Sequence, residues 1–425
     1  MKKFLKKTTT KIVGAGLLSA GLLLASSNVM ASGYQVVLQG SRVTAMGNCA
    51  VGFRSGAPSL FFNPGAMAME QNSSVMLGGN FVMSNVKYRA TGSTLVEETD
   101  SPAGTPFFAY GIYKVNEKLN VGLGVVTPFG STVVWGNQWS GRYSLNELSL
   151  QAFVVQPTVS YKVSEKFGIG GGLDIAFGSV SLQRSLPIAQ SSTESSVLLE
   201  GSAKPSIGFN LGAYYEVNEK FSLGINYRSK VDMKVEGGDA KFSVPNLPLI
   251  QGSFQAKNFD ATLPLPSVLS VGAGIKPMEK LQLAVEWSLT GWDAYKELKF
   301  EYDAPVLGEA ETVSERNYKN SSTFKLGAEY MATESLALRG GFYYDQTAVD
   351  DGYMTPETPD ANTMSYTLGL GYTVSEKFSI DVHYLLVTKE ERENIAAPNS
   401  GGIDGTFEAG ANVFGFGLSY KFGSN

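Results

Sequence analysis

The stretch 221–236 restricts the fold more than any other part of the chain. Phe221, Leu223, Ile225, Tyr227, Val231, Met233 and Val235 alternate with Ser222, Gly224, Asn226, Arg228, Lys230, Asp232, Lys234 and Glu236, and only Ser229 interrupts the apolar series. A side-chain period of two belongs to a β-strand with one apolar and one polar face. The run lasts about fifteen residues, well beyond the roughly 5–6 of a common globular strand. Its polar face carries several charges in succession, which suits a wet barrel interior. On this reading Arg228 and Lys230 point inward, while Val231, Met233 and Val235 share the outward face of Phe221. The same alternation runs through 281–290 and 378–387.

Short polar breaks punctuate these strands at "VNEK" (115–118), "VSEK" (163–166), "VNEK" (217–220), "PMEK" (277–280), "ATES" (332–335) and "VSEK" (374–377). Each follows a strand ending near a Tyr or Ile and precedes one beginning with Phe or Leu. Six tight turns join twelve strands. One strand before them, around 74–87, and one after, around 410–422, make fourteen. The even number brings both ends of a barrel to one side. Longer polar stretches at 183–204, 237–257 and 348–361 read as loops on the other side. Short periplasmic turns and long extracellular loops are the asymmetry of outer-membrane barrels. The expected fold is therefore all-β, a transmembrane antiparallel barrel of 14 strands over 73–425.

The first 31 residues read as a signal peptide. "MKKFLKK" is basic, 12–25 is a 14-residue apolar core, and "VMA" precedes Ser32, so cleavage is expected near Ala31. Beyond it, no apolar run approaches the ~20 residues of a spanning helix. Segment 32–72 is rich in Gly, Ala, Ser and Met and lacks sustained alternation. It is too apolar for a disordered leader, and a plug inside the barrel is expected.

Little in the chain points to catalysis. There is no G-x-S-x-G, P-loop, H-E-x-x-H or C-x-x-C motif. The single cysteine, Cys49, excludes an intrachain disulfide, and the single histidine, His383, argues against a catalytic zinc. His383 shares an inward face with Asp381, but a triad would need a serine brought close by the fold; it reads as a polar interior residue. No enzyme, cofactor or metal is expected. A net charge of −5 gives no reason to expect nucleic acid.

Several motifs lie in order along the mature chain: "SGYQV" at its start, "NPG" at Asn63, Pro64 and Gly65, and "TPFG" at 127–130. Then come Trp135 and "WSGRY" at 139–143, "YRSKVDMKVEG" from Tyr227, "LPLPSVLSVG" from Leu263, "TGWDAY" from Thr290, and "LRGGFYYDQT" from Leu338 with Pro359-Asp360. Together they resemble the long-chain fatty-acid transporter family (FadL-type channels, toluene and xylene transporters among them). Two departures stand out: Gly65 replaces the family's Ala, and no basic residue follows shortly after "PD".

The resemblance implies a Gram-negative outer-membrane channel for passive uptake of hydrophobic compounds, foremost long-chain fatty acids. Capture at extracellular loops would be followed by passage into the barrel and lateral release to the membrane lipid past a movable hatch holding Asn63, Pro64 and Gly65. A monomer is expected. Phe129, Trp135, Trp139, Arg142 and the run 244–250 are candidate capture residues. An acidic ligand would need an inward cation, and Arg228, Lys230, Lys325 and Arg339 are candidates; the bland alternative is a charge network with Asp232, Glu236, Glu329 and Asp345. Gly122 and Gly124 are candidates for the kink in the third strand. A general porin and a lipid-modifying barrel enzyme are the rival functions.

Overall fold

The structure, a computed structural model, describes residues 33–188 and 195–423; the expected signal peptide and its cut near Ala31 lie outside the described residues. Fourteen antiparallel strands form one closed wall. The first six are β1 Ser73–Ala90, β2 Phe107–Lys114, β3 Leu119–Val134, β4 Glu147–Ser164, β5 Phe167–Ser185 and β6 Ser196–Asn218. Four strands are interrupted: β7 (Phe221–Arg228, Val231–Ser243), β8 (Asn258–Leu265, Val268–Met278), β9 (Leu281–Thr290, Glu297–Val306) and β10 (Glu309–Glu315, Ser321–Met331). The last are β11 Leu336–Asp345, β12 Thr363–Thr373, β13 Phe378–Lys389 and β14 Gly405–Phe422. β14 closes on β1 in unbroken register, from Ser73 opposite Phe422 to Ala90 opposite Gly405.

The turns explain their own recurrence. In "VNEK" the Asn116 side-chain oxygen accepts from the backbone N–H of Lys118 and of Leu119, each at 2.9 Å. Asn218 accepts likewise from Lys220. A short polar side chain that closes its own turn is what selects Asn or Ser there. The tyrosines before the turns, Tyr113, Tyr161, Tyr215 and Tyr372, point outward and are 44% to 58% exposed, as an interfacial girdle requires.

The wall changes character along its long strands. In the periplasmic part of β4, Phe153, Val155, Pro157, Val159 and Tyr161 face outward while Gln156, Thr158 and Ser160 are buried inside. Towards the extracellular end the faces exchange. Leu148, Leu150, Ala152 and Val154 are inside and buried; Glu147, Ser149 and Gln151 are outside. β5 exchanges at the same level, with Leu150 opposite Val180 and Leu148 opposite Leu182. Dimensions give the reason. The 18 residues of β4 span about 60 Å, or roughly 45 Å of height at a ~40° tilt, against an apolar band of about 25 Å. The excess stands above the membrane. There the outer face meets water and the inner face is free to be apolar.

β7 makes the same exchange with a break at Ser229 and Lys230. After it Val231, Met233 and Val235 are buried, whereas Lys234 and Glu236 are exposed. An extra residue reverses the face of every side chain that follows. This corrects the sequence reading: Val231, Met233 and Val235 turn inward. Lys230 is exposed and lies 2.9 Å from Asp232, and Glu236 pairs with Lys204 on the outside. The strands also run further than the sequence pattern suggested, since much of 183–204 and the start of 237–257 is ladder and not loop.

Residues 33–72 pack against the inner wall in three short helices, α1 Ser41–Ala45, α2 Ser59–Phe62 and α3 Pro64–Met67. Helices this short leave most of their carbonyls unpaired. The inward polar side chains supply the donors: Gln156 to Leu60 O at 2.9 Å, Arg228 to Phe61 O at 2.9 Å and Asn120 to Met67 O at 2.7 Å. Much of the polar inner face thus binds backbone, where the alternation alone suggested a wet interior.

Candidate functional site

The inward apolar side chains of the extracellular half converge on a slot. Leu150, Leu182, Met233, Val235, Leu263 and Phe300 form much of its sides, and Tyr34 of the N-terminal segment lines it from within. Its volume is about 70 Å³, well under the roughly 300–1,000 Å³ of sites for drug-sized ligands. Tyr34 is fixed by donating its hydroxyl to the Pro264 carbonyl and by edge-on contact with Trp292, ring centroids 4.9 Å apart. Burial pushes the phenols of Tyr34, Tyr295 and Tyr318 upward, so all three stay protonated at neutral pH.

A second cavity of about 80 Å³ lies between the N-terminal segment and the wall, bordered by Val36, Phe61, Phe129, Arg228, Glu286 and Lys325. The inward cations there are already engaged. Arg228 lies 2.5 Å from Asp174 and stacks over the Phe61 ring at 4.0 Å. Lys325 lies 2.8 Å from Glu286, which also accepts from the backbone N–H of Ala50 at 2.7 Å and Val51 at 2.9 Å. Arg339 bridges Glu329 and Asp381 at 2.6 Å each, and Glu329 takes a two-point contact from Arg42 of α1 at 2.8 and 2.7 Å. Three of the four cations singled out from the sequence therefore face inward in carboxylate pairs that also hold the N-terminal segment. The fourth, Lys230, is on the outer surface.

The aromatic candidates sit differently from the exposed groove material expected. Trp135 and Trp139 are buried and stacked, centroids 4.2 Å apart. Their indole N–H groups donate to Pro356 O at 3.2 Å and Leu145 O at 2.6 Å, tying two extracellular loops together. Arg142 stacks over Tyr143. None of these three borders either cavity, whereas Phe129 borders the second. The run 244–250 enters the exposed helix α4 Pro248–Gly252, with Leu249 86% exposed. Asn63 caps α3 through Gly65 N at 2.9 Å and donates to Val51 O at 2.8 Å and Ala213 O at 3.1 Å. Pro64 and Gly65 press on the wall at Gly170 and Ala213.

The third strand does break its pairing, but not at the glycines proposed. Gly122 and Gly124 stay in register with Ile112 and Tyr110, and an added Cβ on either would meet Leu60; they make room for α2. β3 leaves β2 after Val126, its last partner being Phe108. Pro128, with no N–H to give, follows two residues on. The freed edge is taken by the N-terminal segment: Val36 N donates to Pro128 O at 2.8 Å and Gly130 N to Tyr34 O at 3.1 Å, around the bridge Gln35–Phe129.

The slot residues went unrecognised in the sequence because alternation was read with one fixed inside. Their signal was present: in 147–161 the apolar positions change parity at about Ala152. The sequence profile described as outer membrane protein transport protein (OMPP1/FadL/TodX) matches residues 22–422. A 47 kDa outer membrane protein of Pasteurella multocida is 25% identical, over 96% of this chain and 98% of the relative. Among solved structures, a FadL homologue of Pseudomonas aeruginosa superposes with a TM-score of 0.81 at 21% identity, covering 92% of this chain and 100% of the other. The toluene transporter TbuX of Ralstonia pickettii gives 0.67 at 20%, covering 90% and 98%. The closed barrel, the family profile and the full-length relatives agree, and the chain belongs to the OMPP1/FadL/TodX family of outer-membrane transport channels for hydrophobic compounds.

Proposed function

We propose that the chain carries hydrophobic compounds, long-chain fatty acids among them, passively inward, and releases them sideways into the membrane. The supporting observation is a coincidence in space. Tyr34 lines the apolar slot, and the backbone of 34–36 occupies the edge that β3 exposes when it leaves β2. Movement of this one segment would open the slot and uncover the gap together. Residues 32–72 then act as the hatch, with Asn63, Pro64 and Gly65 as its anchor on β6. Phe129 stands beside the exit, and Trp135, Trp139 and Arg142 brace the loops around the entrance.

A fatty-acid tail would enter the slot once the segment carrying Tyr34 has moved aside. Its carboxylate would have to compete with Asp174 for Arg228 or with Glu286 for Lys325, while Arg339 is doubly engaged. The test is a reversible lock. A disulfide between Q35C and F129C, opposite one another in the bridge, should abolish uptake of a labelled fatty acid by whole cells, and reduction should restore it to the level of F129C alone. Uptake by the oxidised protein at the rate of F129C would exclude this exit.

A further inference from the structure

β7 carries an extra residue within Glu236–Gly238, counted against both of its neighbours. On β6, Glu200 lies opposite Asp239 and Ala203 opposite Val235, so three steps meet four. On β8, the two steps from Phe259 to Ala261 meet the three from Gly238 to Val235. Gly237 takes up the excess at φ +68°, and its N–H is held by Asp260 Oδ1 at 2.7 Å. A bulge bends its strand. A barrel wall is convex outside, yet beside this bulge the outer face of β4 to β7 is hollowed into a groove of about 600 Å³. Ser149, Gln151, Ser179, Ser181 and Ser202 line it, together with the carboxylates of Glu200, Glu236 and Asp239. Among the described residues the four serine hydroxyls have no hydrogen-bond partner. Ser202 is exposed and the other three are half-buried. Lys241 and Lys204, which pair with Glu200 and Glu236, lie outside the lining, and no other cation among the described residues belongs to it.

The height of the groove says what lies beside it. Phe153 and Phe177, stacked with centroids 5.0 Å apart, end the outward apolar surface of β4 and β5. Ser149 stands four residues further along β4, which is about 13 Å of strand and about 10 Å of height at a ~40° tilt. In the outer leaflet of a Gram-negative outer membrane, the sugars of lipopolysaccharide fill that level. The lining sorts among them by charge. Three carboxylates and no cation disfavour phosphates and acidic sugars. A neutral sugar ring meets complementary groups: its hydroxyls donate to the carboxylates in charge-assisted bonds, and each serine both donates and accepts. The volume falls within the roughly 300–1,000 Å³ of ligand sites. We propose that this groove binds neutral sugars of the core oligosaccharide of a neighbouring lipopolysaccharide, fixing one glycolipid against the β4–β7 side of the barrel. Neither the slot nor the inner segment takes part, so the proposal stands apart from the transport reading.

Native mass spectrometry of the full-length protein, purified in detergent, tests this with two glycolipids: lipopolysaccharide carrying a complete core, and the same lipid cut back to its acidic innermost sugars. The complete core should bind at least tenfold tighter. S149A/S179A/S181A should bring the two within threefold by weakening the complete core alone. K87A/R89A, which removes paired cations from the outer face of β1, should keep the tenfold difference. Absent or equal binding of the two lipids by the wild type overturns the proposal. So does a difference that survives the serine variant or disappears in K87A/R89A. Heat-modifiability reports whether each variant is a folded barrel. If the serine variant is not, S181L, which narrows the groove, decides by the same ratio. A protein dimer lost in these groove variants would assign the groove to a second copy of the chain, and overturn the proposal as well.

Discussion

Gly224 shows how much can depend on a missing side chain. A Cβ there would lie 1.8 Å from the Val51 carbonyl oxygen and 2.6 Å from its carbon, so β7 and the N-terminal segment come this close at Val51 only because residue 224 has none. G224A should cost about 1–3 kcal/mol, the usual range for overpacking, seen as a lower Tm and faster protease cleavage within 33–72. An unchanged Tm would mean that the segment is not seated there. Asn63 gives the complementary case. N63A removes a cap and two buried bonds to backbone carbonyls, and on the order of 2 kcal/mol should be lost. N63D keeps the acceptor for Gly65 but turns a buried carboxylate towards the Val51 and Ala213 carbonyls, and should be less stable than N63A. Of the residues singled out, the inward positions of Arg228, Lys325 and Arg339 were legible from the period of two, whereas Asn63, Pro64 and Gly65 were picked out only by the family resemblance. The outward position of Lys230 was not legible, because a single extra residue at 229–230 is invisible to a period-two count that tolerates one mismatch.

At the level of the strand, the exchange of faces makes opposite demands on neighbouring positions. Leu223 faces lipid and is 42% exposed, whereas Met233, on the same apolar series, is 4% exposed inside the slot. L223R, opposite the girdle residue Tyr215, should hinder insertion by up to about 1 kcal/mol, the cost near an interface, read as less heat-modifiable barrel in the outer membrane. M233R should insert as wild type yet lose uptake of hydrophobic ligands. K234L, on the water-facing side, should change neither. Equal insertion defects in L223R and M233R would disprove the exchange. The broken strand β7 also shows why turns were easier to read than interiors. Turn chemistry is local, carried by Asn116 and Asn218 on their own backbone, whereas a change of surroundings along one strand depends on where the membrane ends.

Taken whole, the molecule is a wall and an inner segment joined through buried charge. Glu286 binds two backbone N–H groups of the segment, and Glu329 binds Arg42. Removing one partner of a buried pair costs about 3–5 kcal/mol, so E286A/E329A should loosen the segment without unfolding the barrel. In planar bilayers the wild type should pass no steady ion current, and the double variant should show intermittent openings. Large steady currents from the wild type would favour a general porin instead. The apolar slot gives a porin no advantage, since water and ions gain nothing from Leu150 or Phe300.

Alternation and turn spacing by themselves determined a closed barrel of fourteen strands, because each hairpin is specified by residues adjacent in sequence. They also set aside an inner segment, since a stretch so apolar and without period two must be buried somewhere. What only the tertiary structure decided is which side of each strand faces the slot. That depends on height above the membrane, on the break in β7, and on residues hundreds of positions apart, such as Tyr34 against Pro264 or Arg42 against Glu329. A sequence records which residues alternate; the surroundings they alternate between exist only once the wall has closed.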